Sequence, residues 1–425
     1  MSRSFTILGA GISGISAAYH AQLAGNKATI YELRNRWGGL CDHFEIEGFR
    51  FDYFVHLSFT QNDYVKELFS KSTDYYTHHP ESYNYYKGLW LKHPAQFNLH
   101  PLSIPDKVRV ITDFVNRPKI ENPANYKEWL VAGFGEYFAQ TFPIAYTNKY
   151  WTIDAEKLTT DWVGKRMKEI ALDEMLAGAF ETTHENHYYA SEMRYPKKGG
   201  YKAFLAFMAN GLEINLNKKA ILLDVKQKKI DFNDGTNVHY EHLISSMPLP
   251  QLVGITKDVP QNIKDAANKL LHTSGQLVSI GFNRPEITKH LWFYIYDTDI
   301  LPARVYSPSL KSPENAPAGK SSLQFETYYS KYKNNSLVGQ NLIEYVVENG
   351  QKMGLFTLND IEITDYKHVP FANVVFDVHR AANVALIRQY YEQLGIKTIG
   401  RFGEWDYFWS DQSLMSGKKI VEVYN

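Results

Sequence analysis

The chain of 425 residues holds a single cysteine, Cys41, which excludes an intramolecular disulfide framework and any multi-cysteine metal site. It also lacks an excess of charge of either sign. Its 46 Lys and Arg balance 46 Asp and Glu, so no global field draws it to nucleic acid or to an anionic membrane, and nucleic-acid binding is not expected. No apolar run approaches the roughly 18 residues that a membrane span needs. The first apolar strand begins at Phe5, which leaves no room before it for a secretory leader, and together these absences predict a cytoplasmic protein. Metal-ligand spacing, a serine elbow, paired carboxylates, internal repeats and low-complexity tracts are missing as well. Any chemistry is therefore expected from a bound organic group that the protein orients.

What is present begins at once. Phe5-Thr6-Ile7-Leu8 reads as a short strand; Gly9-Ala10-Gly11-Ile12-Ser13-Gly14 breaks it; Ile15 to Tyr19 continues as helix. Gly9 allows a tight turn, Gly11 lets backbone approach a pyrophosphate, Gly14 permits close helix-to-strand packing, and the helix N-terminus offers unpaired N–H groups to phosphate. A second strand, Ala28 to Tyr31, ends at Glu32, the acid a dinucleotide site uses for ribose hydroxyls. After it come Arg34, Arg36, Gly38, Gly39 and Leu40, then Phe49-Arg50-Phe51-Asp52 leading to His56. Cys41 reads as a small packed hydrophobe.

Further along, Asp63 to Phe69 reads as a short helix, and Ser82 to Tyr86 with Leu89 to His93 as a hairpin turning at Lys87-Gly88. From Ile104 to about Ala190 the apolar spacing becomes helical, as in Val108, Ile111, Phe114, Trp129 and Phe134. Phe204 to Leu212 reads as a helix, Ala220 to Val225, Lys229 to Phe232 and His242 to Pro248 as strands, and Gln276 to Phe282, Leu291 to Tyr296 and Ser322 to Tyr329 as an antiparallel sheet. Pro308 to Gly319 reads as a loop, at most a lid. The fold class expected is α/β: a Rossmann-like nucleotide-binding domain with an inserted helical domain and an antiparallel β-sheet substrate domain. The nucleotide-binding domain would comprise 1–80, 191–260 and 371–425, the helical insert 81–190 and the sheet domain 261–370.

The basic-Gly-Gly turn after Glu32 resembles the FAD-binding superfamily of amine oxidases and protoporphyrinogen oxidase. Ordered segments across nearly the whole chain narrow this to a resemblance to the UDP-galactopyranose mutase family, in its eukaryotic-type branch. They are Trp90 to Gln96, Asn148 to Trp151, Trp162 to Arg166, Arg194 to Pro196 with Gly199-Gly200, Trp292 to Tyr294 before Arg304, and Gly400 to Tyr407 with Asp411-Gln412-Ser413. Tyr126 to Leu130 resembles the start of a helix that follows the first of these. The resemblance implies bound FAD, active when reduced by NAD(P)H or another reductant, with Gly9, Gly11, Gly14, Glu32, Arg36, Gly38, Gly39, Leu40, Val225, Gly400, Asp411, Gln412 and Ser413 at the cofactor. It implies His56, Arg304 and Arg401 as catalytic residues. Gln96, Asn148, Trp151, Arg166, Trp292, Tyr294, Asn373 and Tyr407 would contact a nucleotide-sugar substrate. The activity implied is pyranose/furanose isomerisation without net redox change, in which N5 of reduced FAD attacks the anomeric carbon, as in polysaccharide biosynthesis. A FAD-dependent oxidoreductase of the amine oxidase or protoporphyrinogen oxidase type and a non-enzymatic FAD-binding scaffold are the alternatives. No membrane span is expected, and a homo-oligomer is compatible with the sequence.

The chain departs from that family at three places. Phe54-Val55 stand before His56 where small residues are usual; Asn373 stands where a second diphosphate tyrosine is expected; His93 and Ala95 replace aromatic residues at the nucleotide-base side.

Overall fold

The computed structural model describes residues 2–182, 187–188 and 190–424. Five parallel strands form one sheet, in the spatial order Ile396–Thr398, His242–Ser245, Ser4–Leu8, Lys27–Tyr31 and Glu213–Asn215. The central strand, Ser4–Leu8, buries Phe5, Ile7 and Leu8, because a parallel strand covered on both faces needs a continuous apolar run. Helix Ile12–Leu23 follows it across the glycine turn. Helix Ser410–Glu422 packs against that helix so closely that a Cβ on Gly417 would lie 2.3 Å from the Ser13 carbonyl oxygen. The sheet is thus assembled from three separated stretches of chain.

A second sheet has seven strands, ordered Ile361–Val374, His272–Phe282, Ser321–Tyr329, Arg304–Tyr306, Trp292–Ile295, Tyr83–Tyr86 and Leu89–Lys92. All neighbours are antiparallel except Trp292–Ile295 beside Tyr83–Tyr86. This corrects the placement of the 82–93 hairpin within the helical insert. Phe293 pairs with Tyr83 and Ile295 with Tyr85, because an isolated two-stranded hairpin is marginal in water and this one hides Tyr85 and Leu91 by extending a larger sheet.

The helical region follows. Ser103 caps helix Ile104–Val115 by accepting from the Asp106 N–H, and Asn125 caps Tyr126–Phe134 by accepting from the Glu128 N–H at 3.0 Å. Pro143 has no N–H to continue an α-helix, and the chain widens into a π turn over Gln140–Ile144 before helix Ala145–Tyr150. Two further expectations are corrected. The helix expected over 204–212 is a 3-10 turn, Tyr201–Leu205, and one α turn, Ala206–Ala209, ended before Gly211 at φ 76°. The 308–319 segment is not a lid: it forms short helices Pro308–Lys311 and Pro313–Asn315 and buries Lys311, Ser312 and Asn315. Among the described residues no helix is long and apolar enough to cross a membrane, and no His, Cys, Asp and Glu cluster is arranged to hold a metal ion.

Candidate active site

Between the two sheets lies a cleft of about 620 Å³. Its floor is the glycine turn. Gly9 adopts φ 100°, and a Cβ on Gly14 would fall 1.9 Å from the Gly9 carbonyl oxygen, so only glycine lets the helix start this close to the strand. Gly11 forms a bridge with Gly38, whose N–H donates to the Ala10 carbonyl at 2.8 Å. Gly9, Gly11, Ile12, Ser13, Gly38, Gly39, Leu40 and Gly400 line the cleft and present backbone at the N-terminus of helix Ile12–Leu23. Glu32 lines it too, its carboxylate accepting from the Ala10 and Arg34 N–H groups at 2.8 and 2.9 Å, which aims it and leaves further lone pairs for a ligand.

Four expected cofactor residues lie elsewhere. Gly14 supports the turn from behind. Arg36 makes a two-pronged ion pair with Asp42 at 2.8 and 2.9 Å. Val225 packs at the end of strand Ala220–Asp224 against the core, and Gln412 caps helix Ser410–Glu422 through the Trp409 N–H. Asp411 and Ser413 remain on the cleft wall.

The loop 53–57 enters from one side. Phe54 sits at φ 68°, a conformation that disfavours a side chain, yet its ring is only 6% exposed, stacked on Tyr328 at 5.8 Å. It fills the space left by Gly275, where a Cβ would meet Phe54 Cζ at 2.4 Å. The Val55 N–H donates to Glu326 at 2.7 Å. His56 lines the cleft, its Nδ1 3.3 Å from the Phe54 carbonyl, and burial pushes its pKa down to about 4. Beneath this loop, out of the cleft, Asp52 pairs with Lys311 at 2.5 Å and accepts from Tyr195 Oη at 2.7 Å and from the Tyr201 N–H at 3.1 Å.

The opposite wall carries the arginines. Arg304 and Tyr294 are cross-strand partners, so both side chains emerge side by side. The Arg304 guanidinium lies 2.6 Å from the fully buried Glu326 carboxylate and 3.2 Å from Tyr328 Oη. Burial opposes its charge, but Glu326 and the surrounding tyrosines hold its pKa above the ordinary value. Arg401 donates to the Phe408 carbonyl at 2.8 Å and to Asn373 Oδ1 at 2.7 Å; Arg166 donates to the Trp162 and Tyr407 carbonyls at 2.6 and 3.0 Å. Both guanidinium carbons stand 4.6 Å from the centre of the Tyr407 ring. The Nε atoms of Arg166 and Arg401 are buried without a hydrogen-bond partner among the described residues, which is costly unless a ligand satisfies them. Three guanidiniums and a group of tyrosine hydroxyls around one space suit a polyanionic ligand.

The cleft therefore brings together His56, Trp151, Arg166, Trp292, Tyr294, Arg304, Asn373, Arg401 and Tyr407. Asn148 is not among them: it faces solvent on helix Ala145–Tyr150, whose other face delivers Tyr146 and Tyr150. Gln96 lines an adjoining chamber of about 490 Å³, joined to the cleft through His93, Arg166 and Tyr188, and donates to the Lys168 carbonyl at 3.1 Å. Tyr146, Tyr150, Tyr328 and the anchoring Glu326 were not foreseen. A signal existed: Leu323 and Phe325 alternate with Gln324, Glu326 and Tyr328, a period of two that puts the polar set on one face of strand Ser321–Tyr329.

Residues 7–72 match the family model of an NAD(P)-binding Rossmann-like domain. The whole chain superposes on a crystal structure of reduced UDP-galactopyranose mutase with a TM-score of 0.93 and 26% identity, covering 100% of this chain and 95% of that one. A provisionally named protoporphyrinogen oxidase from Exiguobacterium sp. 255-15 aligns over 100% of this chain and 99% of its own with a TM-score of 0.77 and 15% identity. Putrescine oxidase aligns at 0.65 and 14% identity, over 100% and 99% of the two chains. The last two share the fold. The resemblance drawn from the sequence motifs is borne out over the full chain, and the mixed α/β architecture, with a Rossmann-like domain and several sheets, is that of UDP-galactopyranose mutase.

Proposed function

We propose, from this full-length likeness to UDP-galactopyranose mutase, that the chain is a flavin-dependent nucleotide-sugar mutase interconverting pyranose and furanose forms, with UDP-galactopyranose as the first substrate to test. The observation that carries the reading is the convergence of Arg166, Arg304, Arg401, Tyr294 and Tyr407 on a glycine-floored cleft. The residues present suit FAD. Gly9, Gly11, Gly38, Gly39 and Gly400 keep a strip of bare backbone open at a helix N-terminus, where a pyrophosphate is favoured, and Glu32 meets the ribose. Bound there in its reduced form, FAD would supply a nucleophilic nitrogen for the anomeric carbon.

The chain's own residues do the rest. Arg304, Arg401 and Arg166, with Tyr294 and Tyr407, hold the diphosphate, stabilise the charge that develops on it as it leaves and keep it in place for recapture. His56, kept neutral by burial, would line the flavin's side of the cleft without adding charge. Phe54, Val55 and Glu326 keep that loop against the sheet. The adjoining chamber with Gln96 takes the nucleotide base. An oxidase of the same fold would need an apolar or amine-binding cavity, which three arginines oppose.

The test uses FAD-loaded protein reduced with dithionite and a panel of UDP- and TDP-sugars. Interconversion of a pyranose and its furanose isomer, without reductant consumed in proportion to product, is expected. Failure across the panel together with stoichiometric flavin reoxidation would sink the mutase reading.

A further inference from the structure

The hydrogen bonds around Tyr150 set the direction in which Tyr407 can donate. Arginine carries donors only, so the Asn373 atom 2.7 Å from Arg401 Nη2 is the amide oxygen. Tyr150 Oη lies 3.1 Å from that same oxygen and donates to it. A hydroxyl has one proton, and that of Tyr150 is thereby committed. Tyr407 Oη, 3.0 Å from Tyr150 Oη, completes their contact only by donating its own. The order runs from Tyr407 to Tyr150 to Asn373, and the Tyr407 hydroxyl shows lone pairs, not a proton, to the cleft. The Tyr150 ring cannot swing away: it is 7% exposed, in edge contact with Tyr328 at 4.8 Å and Trp151 at 5.0 Å, with the Arg304 guanidinium 5.6 Å from its centre.

Resting on the nucleotide-sugar reading above, we propose that Tyr150 is a positioning residue that weakens the hold of Tyr407 on the diphosphate. Diphosphate oxygens only accept. Tyr407 bonds them after turning its proton away from Tyr150, so each binding event gives up one internal hydrogen bond. A sugar hydroxyl can donate to Tyr407 as it stands. The site thus discriminates between the two halves of its substrate through a proton held two residues away from Arg401.

The test is calorimetric titration of UDP into the FAD-loaded full chain as wild type, Tyr150→Phe, Tyr407→Phe and the double variant. Tyr150→Phe removes one atom and keeps the ring, and flavin content and urea midpoint check that the fold is intact. UDP should bind Tyr150→Phe about three- to tenfold more tightly than wild type, the equivalent of one neutral hydrogen bond. It should bind Tyr407→Phe more weakly, and in that background Tyr150→Phe should change nothing. Should Tyr150→Phe fail to fold, Asn373→Ala frees the Tyr150 proton for Tyr407 and is expected to shift affinity in the same direction. Weaker or unchanged UDP binding in Tyr150→Phe, or an equal effect in both backgrounds, would overturn this inference alone. No UDP binding to the wild-type chain would overturn the nucleotide-sugar reading and this inference with it.

Discussion

Replacing Phe54 by glycine sets two opposing effects against each other. Glycine relieves the positive φ of 68°, a gain of roughly 1 to 2 kcal/mol. It also deletes an aromatic ring that is 6% exposed, stacked on Tyr328 and seated over Gly275. Emptying such a site costs about 3 to 5 kcal/mol for a buried Phe. Loss of packing wins, and Phe54→Gly should destabilise the protein by roughly 1 to 4 kcal/mol on these two terms. Gly275→Ala tests the same contact from its other side. Its Cβ would lie 2.4 Å from Phe54 Cζ, so in the wild-type background it should cost about 1 to 3 kcal/mol by overpacking; combined with Phe54→Gly it falls into vacated space and should cost little. Urea unfolding of the four proteins measures the coupling. Additive losses, or a Phe54→Gly variant as stable as wild type, would refute the view that Phe54 is a wedge holding the His56 loop.

Lys311→Met leaves the buried Asp52 carboxylate without its cation and should lower stability by about 3 to 5 kcal/mol, seen as a shifted urea midpoint. Burial depresses His56 and His93 to about 4, so the unfolded chain takes up their protons first; stability should be constant above about pH 6.5, fall as pH drops toward 4, and fall less steeply in His56→Gln and His93→Gln, measured by urea midpoints across that range. Gly400→Ala would put a Cβ 2.2 Å from Ser13 Oγ at a residue with φ 74°; the purified variant should carry less flavin by absorbance, and unchanged flavin content would count against Gly400 at the cofactor.

The nucleotide-side half was legible because its constraints are local. Gly9, Gly11, Gly14 and Glu32 lie within one strand-turn-helix-strand unit, and Gly14 is forced by the Gly9 carbonyl oxygen five residues before it. The arginines were legible one at a time, through motifs, and the structure supplies their meeting point. Tyr150 and Glu326 were harder. Each works through partners far away in sequence: Tyr150 through Asn373 and Tyr407, Glu326 through Val55 and Arg304. Asn148 came in with the segment Asn148 to Trp151 that the resemblance singled out, and on a helix a spacing of two points it and Tyr150 to different sides. Phe54 showed in the sequence only as a departure from the small residues usual before His56; the compensating Gly275 lies far along the chain in strand His272–Phe282, where no local pattern links the two.

The assembly of the parallel sheet bears on how the chain is made. Strand Ser4–Leu8 is synthesised well before one of its two neighbours, His242–Ser245, and Ser4 donates to Glu241, 237 residues later. At a translation rate of about 5 to 20 residues per second, that strand waits roughly 12 to 50 s for its partner. Gly400 and Ser413, on the cleft wall, come later still. A nascent chain thus leaves one side of that strand unpaired until His242–Ser245 has emerged, and this cleft has its full wall only once Ser413 has followed. Shelter of that strand is therefore a demand on the cell that comes before supply of the cofactor.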